Sequence, residues 1–175
     1  MQTTWRLPKT LLEVFESLPE GTLCQLIHNQ LIMSPSPSTT HQNIAGRVFR
    51  LLADYVEKNN MGTAFIAPYD VHFDNKNVFQ PDIVFIAKEH IHLIKENGLY
   101  GTPDMVIEIL SPSTEKYDRG EKKDIYEQYG VKEYWMIEPT SKSVTGYVVQ
   151  KNTFVPIAAN TGMIQSLLLD HAFVF

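Results

Sequence analysis

The sequence predicts a single α/β domain over 1–175, a mixed β-sheet core flanked by helices. Three observations carry that reading. The chain has 175 residues, enough for one domain with a sizeable core. Two segments repeat apolar residues at helical spacing. Two compact apolar runs, Asp82 to Ala87 and Met105 to Leu110, read as buried central strands.

In chain order, Leu11 to Leu18 reads as a short helix closed by the Pro19-Glu20-Gly21 turn. Leu23 to Met33 suits a strand or hairpin. Ser34-Pro35-Ser36-Pro37-Ser38 is a breaker, too short for an interdomain linker. The clearest helix runs from Thr39 to Asn59: Ile44, Val48, Leu51, Leu52, Tyr55 and Val56 recur at helical spacing, with Ser38 or Thr39 as N-cap. Thr63 to Pro68 and Tyr69 to Phe73 read as short strands, followed by an Asp74-Asn75-Lys76-Asn77 turn. His90-Ile91-His92 alternates like a ligand pair, but no third ligand is evident, so it reads as loop. Asp118 to Tyr129 predicts the second helix, and Lys132 to Glu138, Ser143 to Gln150 and Thr153 to Ile157 predict strands.

Composition narrows the chemistry. Cys24 is the only cysteine, which excludes an internal disulfide and a Cys-based zinc site. Met1 to Lys9 has no signal-peptide-like apolar run, and no segment approaches the ~20 apolar residues of a spanning helix. A cytoplasmic protein without membrane contact is expected. The net charge of −5 opposes a broadly basic nucleic-acid-binding face.

Asp82 opens one apolar run and Glu108 interrupts the other. An acid at a strand entry is commonplace, but an unpaired carboxylate inside a buried strand is costly. If the strands are antiparallel neighbours, the two carboxylates meet at one edge of the sheet. Crowded acids of this kind suit a divalent cation: Mg²⁺ prefers one or two carboxylates plus waters and phosphate oxygens. Lys122 falls on the helical face of Ile125, Tyr126 and Tyr129, and so points at the sheet; a snorkelling side chain is the bland alternative. Lys123 points away, beside Glu127. Asp118-x-x-Glu121 resembles a capping box, which makes Asp118 an N-cap. Lys116, Arg119, Lys122 and Lys123 suggest a small positive zone.

Gln80-Pro81-Asp82, Val106-Ile107-Glu108-Ile109-Leu110-Ser111-Pro112-Ser113-Thr114, Asp118 to Lys122 and Glu133-Tyr134-Trp135 occur in an order that resembles the Uma2 family. Met33 to Pro37 with His41 fits as well, so the resemblance covers about Leu23 to Pro139. It implies a restriction-endonuclease-like fold of the PD-(D/E)XK nuclease superfamily, with Leu110 where the superfamily has lysine and Lys122 at the migrated position. The implied activity is a metal-dependent endonuclease acting on nucleic acid, DNA first. Asp82, Glu108 and Lys122 would be catalytic, with Asp82 and Glu108 holding Mg²⁺ or its substitute Mn²⁺. His41, Gln80 and Tyr126 are candidate substrate-binding or supporting residues. A homodimer is expected from the superfamily's habit of cutting both strands; Ser166 to Leu169 and Phe173 to Phe175 are apolar enough to cover a partner or cap the core. Relatives carry an acidic stretch ending in Asp-Gly-Glu where this chain has Gln25 to Gln30. That departure favours one alternative, a catalytically inactive nucleic-acid-binding or assembly module. A glycosidase-like acid pair is a second alternative, disfavoured by Lys122.

Overall fold

The computed structural model describes residues 7–175. Helix α1 (Leu11–Glu16) starts at Thr10, whose hydroxyl accepts the Glu13 N–H at 3.1 Å. Strands β1 (Cys24–Ile27) and β2 (Gln30–Met33) form a hairpin turning at His28 and Asn29, which have φ of 47° and 60°. The long helix α2 (Thr39–Lys58) is capped by Ser38, whose hydroxyl accepts the His41 N–H at 3.2 Å. Next come β3 (Gly62–Ile66), β4 (Val71–Asp74), β5 (Asn77–Phe79) and β6 (Ile83–Ala87). A 3₁₀ segment, Lys88–Leu93, replaces the loop expected around His90 and His92 and leads to β7 (Ile94–Lys95), β8 (Gly98–Tyr100) and β9 (Met105–Ile109). The segment is fastened because His90 Nδ1 lies 2.9 Å from Asp104 Oδ2.

The expected helix from Asp118 to Tyr129 is two helices, α3 (Glu115–Arg119) and α4 (Glu121–Gln128). They part at Gly120, whose ψ of −107° lies outside the helical region. Strands β10 (Glu133–Ile137), β11 (Ser143–Gln150) and β12 (Thr153–Thr161) follow, the last longer than its apolar stretch suggests. The chain closes with the hairpin β13 (Met163–Ser166) and β14 (His171–Val174).

Two six-stranded sheets result, ordered β2-β1-β5-β4-β8-β7 and β12-β11-β10-β9-β6-β3. In the second, β9 and β10 are parallel, which requires a crossover, and α3 and α4 supply it. Its strands alternate between two cores. Ile83, Phe85, Met105, Ile107 and Trp135 face α2 and the C-terminal hairpin. Val84, Ile86, Val106, Leu110 and Tyr134 face α4 and the other sheet. No helix among the described residues is long and apolar enough to cross a membrane.

Glu133 fastens the C-terminal hairpin. Its fully buried carboxylate accepts Trp135 Nε1–H at 3.0 Å, Ser166 Oγ–H at 2.8 Å, and the Leu167 and Leu168 N–H groups at 2.7 and 2.6 Å. Trp135 in turn lies so close to Gly146 that a Cβ there would fall 2.1 Å from its ring. Leu169, Phe173 and Phe175 are buried in the α2 core, so the apolar C-terminal residues chiefly cap that core.

Candidate active site

Strands β6 and β9 are antiparallel, with Ile83 opposite Ile107. One step further brings Asp82 opposite Glu108, and directly opposed residues project to the same face. The paired register stops at Ile83 and Ile107, and Pro81 beyond it has no N–H with which to extend the ladder. The Asp82 side chain takes up the free donor: Ile109 N–H donates to Asp82 Oδ2 at 2.7 Å. In return, the Asp82 N–H donates to Glu108 Oε2 at 3.2 Å. Glu108 is thereby fixed to the backbone of Asp82, and Asp82 to the backbone of Ile109 beside Glu108, at the rim of the sheet.

Helix α4 lies over this rim. Tyr126, completely buried, donates its hydroxyl to Glu108 Oε1 at 2.7 Å. Lys122, 2% exposed, brings its ammonium to the same Glu108 oxygen and to Asp118 Oδ1 at 2.9 Å. His41, from the first turn of α2, places Nε2 3.2 Å from Asp82 Oδ2.

Burial and crowding set the charges. Burial pushes the Glu108 carboxyl up to about 8; the Lys122 ammonium pulls against that, while Asp118 and Asp82 reinforce it. Burial favours a neutral Lys122, but the negative charges of Asp118 and Glu108 outweigh it and hold the ammonium charged above its ordinary range. Burial likewise lowers His41, but its hydrogen bond to Asp82, the Asp82 charge and smaller contributions from the Ile109 backbone and Glu108 together outweigh it, so its pKa is raised.

Several expected features lie elsewhere. Asp118 is no N-cap: it is 1% exposed inside α3 and pairs with Lys122 across the Gly120 break. It is the site residue the sequence reading missed, and its i,i+4 relation to Lys122 was the available signal. Tyr126 is sealed beneath the site, where its hydroxyl donates to Glu108. Gln80 lines the cleft, but its amide nitrogen donates to Thr22 O at 3.1 Å and Asp70 Oδ1 at 2.8 Å. Lys123 does not pair with Glu127; it lies 4.7 Å from the Tyr147 ring centroid, and Glu127 accepts the Phe154 N–H at 2.5 Å. The positive zone is likewise dispersed, since Arg119 Nε donates to Glu115 at 2.7 Å and Lys116 lies over Tyr117. Of the divergent 25–30 segment only Gln25 reaches the cleft; its Oε1 accepts the Gln80 N–H at 3.1 Å.

The acids and Lys122 form the floor of a cleft of about 640 Å³. Among the described residues no three His, Cys, Asp or Glu side chains form a ready metal cage. The donor set still fits a hard cation that keeps most of its waters, namely the two adjacent carboxylates of Asp82 and Glu108. The raised Glu108 carboxyl fits too, because a cation favours the charged form that burial, and after it the charges of Asp118 and Asp82, disfavour.

The family model Uma2, described as "Putative restriction endonuclease", matches residues 12–170. Among solved structures, the chain is similar to a DUF820 "putative nuclease" from Anabaena variabilis ATCC 29413. The two are 22% identical, with 85% of this chain and 84% of that one covered and a TM-score of 0.71. At that identity the likeness establishes the fold. No curated protein matches the chain.

Proposed function

The chain belongs to the Uma2 family of restriction-endonuclease-like nucleases, and from that premise we propose that it hydrolyses phosphodiester bonds of nucleic acid, DNA first, with a divalent cation. The observation that carries the reading is the rim where Asp82 and Glu108 share one face beneath the buried ammonium of Lys122. Asp82 and Glu108 would hold Mg²⁺, or Mn²⁺ in its place. Such an ion supplies Lewis acidity toward a phosphate oxygen and a more acidic water.

The protein's own groups divide the remaining work. Tyr126 and the Asp82 N–H hold the Glu108 carboxyl from both sides. His41 and the Ile109 N–H fix Asp82 Oδ2. Lys122 neutralises charge gathering on the phosphate and orients the attacking water, and Asp118 keeps its ammonium at the floor. The alternative of an inactive module keeps one specific support: Gln25, from the segment where relatives carry an acidic stretch, lines the cleft with a neutral amide, and the cleavage test below decides between the two. The dimer rests on a smaller apolar surface than the sequence suggests: of the C-terminal residues, Leu167 and Val174 stay exposed, at 57% and 66%.

The test is a Mg²⁺ or Mn²⁺ titration of purified protein on plasmid, single-stranded DNA and RNA, beside Asp82→Ala and Glu108→Ala. Metal-dependent cleavage should vanish in both variants while circular dichroism stays native. Undiminished nicking in either one would place the catalyst elsewhere.

A further inference from the structure

From the shape and charge of the cleft we infer that the nucleic acid it accepts is unpaired: a short single-stranded stretch, overhang or flap, gripped over about one phosphate and its two nucleosides. The inference rests on the nuclease reading of the same site. Its first support is depth. Glu108, Asp118 and Lys122 are 3%, 1% and 2% exposed, and the chain segments 34–38, 111–115 and 138–140 stand around them. A phosphate must descend between these walls to meet the acids. Duplex DNA carries its phosphates on a stiff cylinder with a persistence length of ~50 nm, so a single phosphate does not leave that surface cheaply. A single strand bends at every nucleotide and can lower one phosphate into the recess. The cleft volume, about 640 Å³, lies within the ~300–1,000 Å³ typical of sites that enclose small organic ligands.

The second support is charge. The lining carries the carboxylates of Asp82, Glu108, Glu115, Asp118 and Glu138, against Lys122 as its one Lys or Arg among the described residues. The cations that flank Lys122 in sequence are engaged, Arg119 with Glu115 and Lys116 and Lys123 on tyrosine rings. Proteins that grip duplex DNA neutralise several phosphates in register, and among the described residues no such row lines this cleft.

The third support is what the rim offers instead. Pro35, Pro37, Pro68, Pro112 and Pro139 present rigid apolar surface. Ser36, Ser38, Ser113 and Thr140 add neutral hydrogen-bonding groups. Exposed base faces can cover the former, and unpaired base edges and sugar hydroxyls can satisfy the latter. In a duplex those base faces and pairing edges are hidden.

The experiment compares end-labelled single strands of DNA and RNA, in 6-, 12- and 24-nucleotide lengths, with blunt duplexes and overhang-bearing duplexes of the same sequence. Cleavage is measured with Mg²⁺, and binding by fluorescence anisotropy with Ca²⁺, which takes the same oxygen donors in looser geometry. Single strands should exceed blunt duplex at least about tenfold in kcat/KM and in affinity, with little gain from added length, and overhangs should be cut outside the paired region. Between 50 and 200 mM salt, single-strand affinity should fall only about 3- to 7-fold, the response expected for one or two neutralised phosphates. The DNA and RNA arms show which sugar the site takes. Blunt duplex bound and cut as well as single strand overturns the inference and leaves the nuclease reading intact. Single-strand-selective binding without cleavage in any metal overturns the nuclease reading and upholds the inference. Absence of binding to every single strand overturns the inference.

Discussion

Lys122 and Asp118 stand one helical turn apart yet belong to different helices, because Gly120 breaks the segment between them. Asp82, Glu108 and Lys122 were legible in the sequence because each carries a charge where its neighbours are apolar. Asp118 was misread, since its spacing to Glu121 imitates a cap and the break at Gly120 leaves no mark on the apolar pattern. Adjacent lysines supply a sharp comparison. Lys122→Ala should lower kcat on the order of 10²–10³-fold, the usual loss when one preorganised charge-stabilising donor is removed. Lys123→Ala, which takes a side chain off the Tyr147 ring, should leave kcat within about twofold. Asp118→Asn should cost roughly 10–100-fold, as for residues that orient a metal site's functional groups. Steady-state kinetics on the three variants decides it. Equal losses for the two lysines would mean that general positive charge matters, and not a placed ammonium.

Among the elements, β6 and β9 were readable because compact apolar runs mark strands buried on both faces. The other sheet was harder: β7 is two residues long and β5 and β8 are three, too short for any period to show. The hairpin of β13 and β14 escaped for a different reason. What fixes it is Glu133 in a distant strand, through donors that no local pattern announces. Glu133→Ala should therefore destabilise the fold by about 3–5 kcal/mol, since it orphans four buried or half-buried donors and opens a cavity beside Trp135. Glu133→Gln keeps one acceptor oxygen and should cost less. Chemical denaturation gives the magnitudes, and amide exchange should quicken first at 163–174. A uniform rise across the molecule would show that Glu133 supports the sheet and not the hairpin specifically.

At the scale of the whole molecule, the strained charge cluster makes stability depend on pH and metal together. Glu108 takes up its proton more readily folded, near 8, than at its ordinary value of 4.5. Between those values the native state binds more protons than the unfolded chain, so stability is highest at the acid end and is lost as pH rises through about 8. The raised His41 acts in the same sense. Asp74 and Asp104, both lowered, act oppositely, but only in acid, as pH falls through the carboxylate range. In EDTA, Tm should therefore fall from pH 5.5 to 8.5, by an amount corresponding to a few kcal/mol. Mg²⁺ should restore most of the loss at pH 8.5 and little at pH 5.5, and Glu108→Gln should flatten the profile; a Tm that rises with pH in EDTA would contradict this charge assignment. The close approach of Trp135 to Gly146 has an optical consequence. The sequence holds two tryptophans, and Trp5 lies outside the described residues. In a Trp5→Phe background all indole emission comes from a ring with no exposure to water, its N–H tied to the carboxylate that fastens the last hairpin. Release of that hairpin would change the polarity around the indole before the sheet itself opened, so the colour of one fluorophore distinguishes loosening from unfolding.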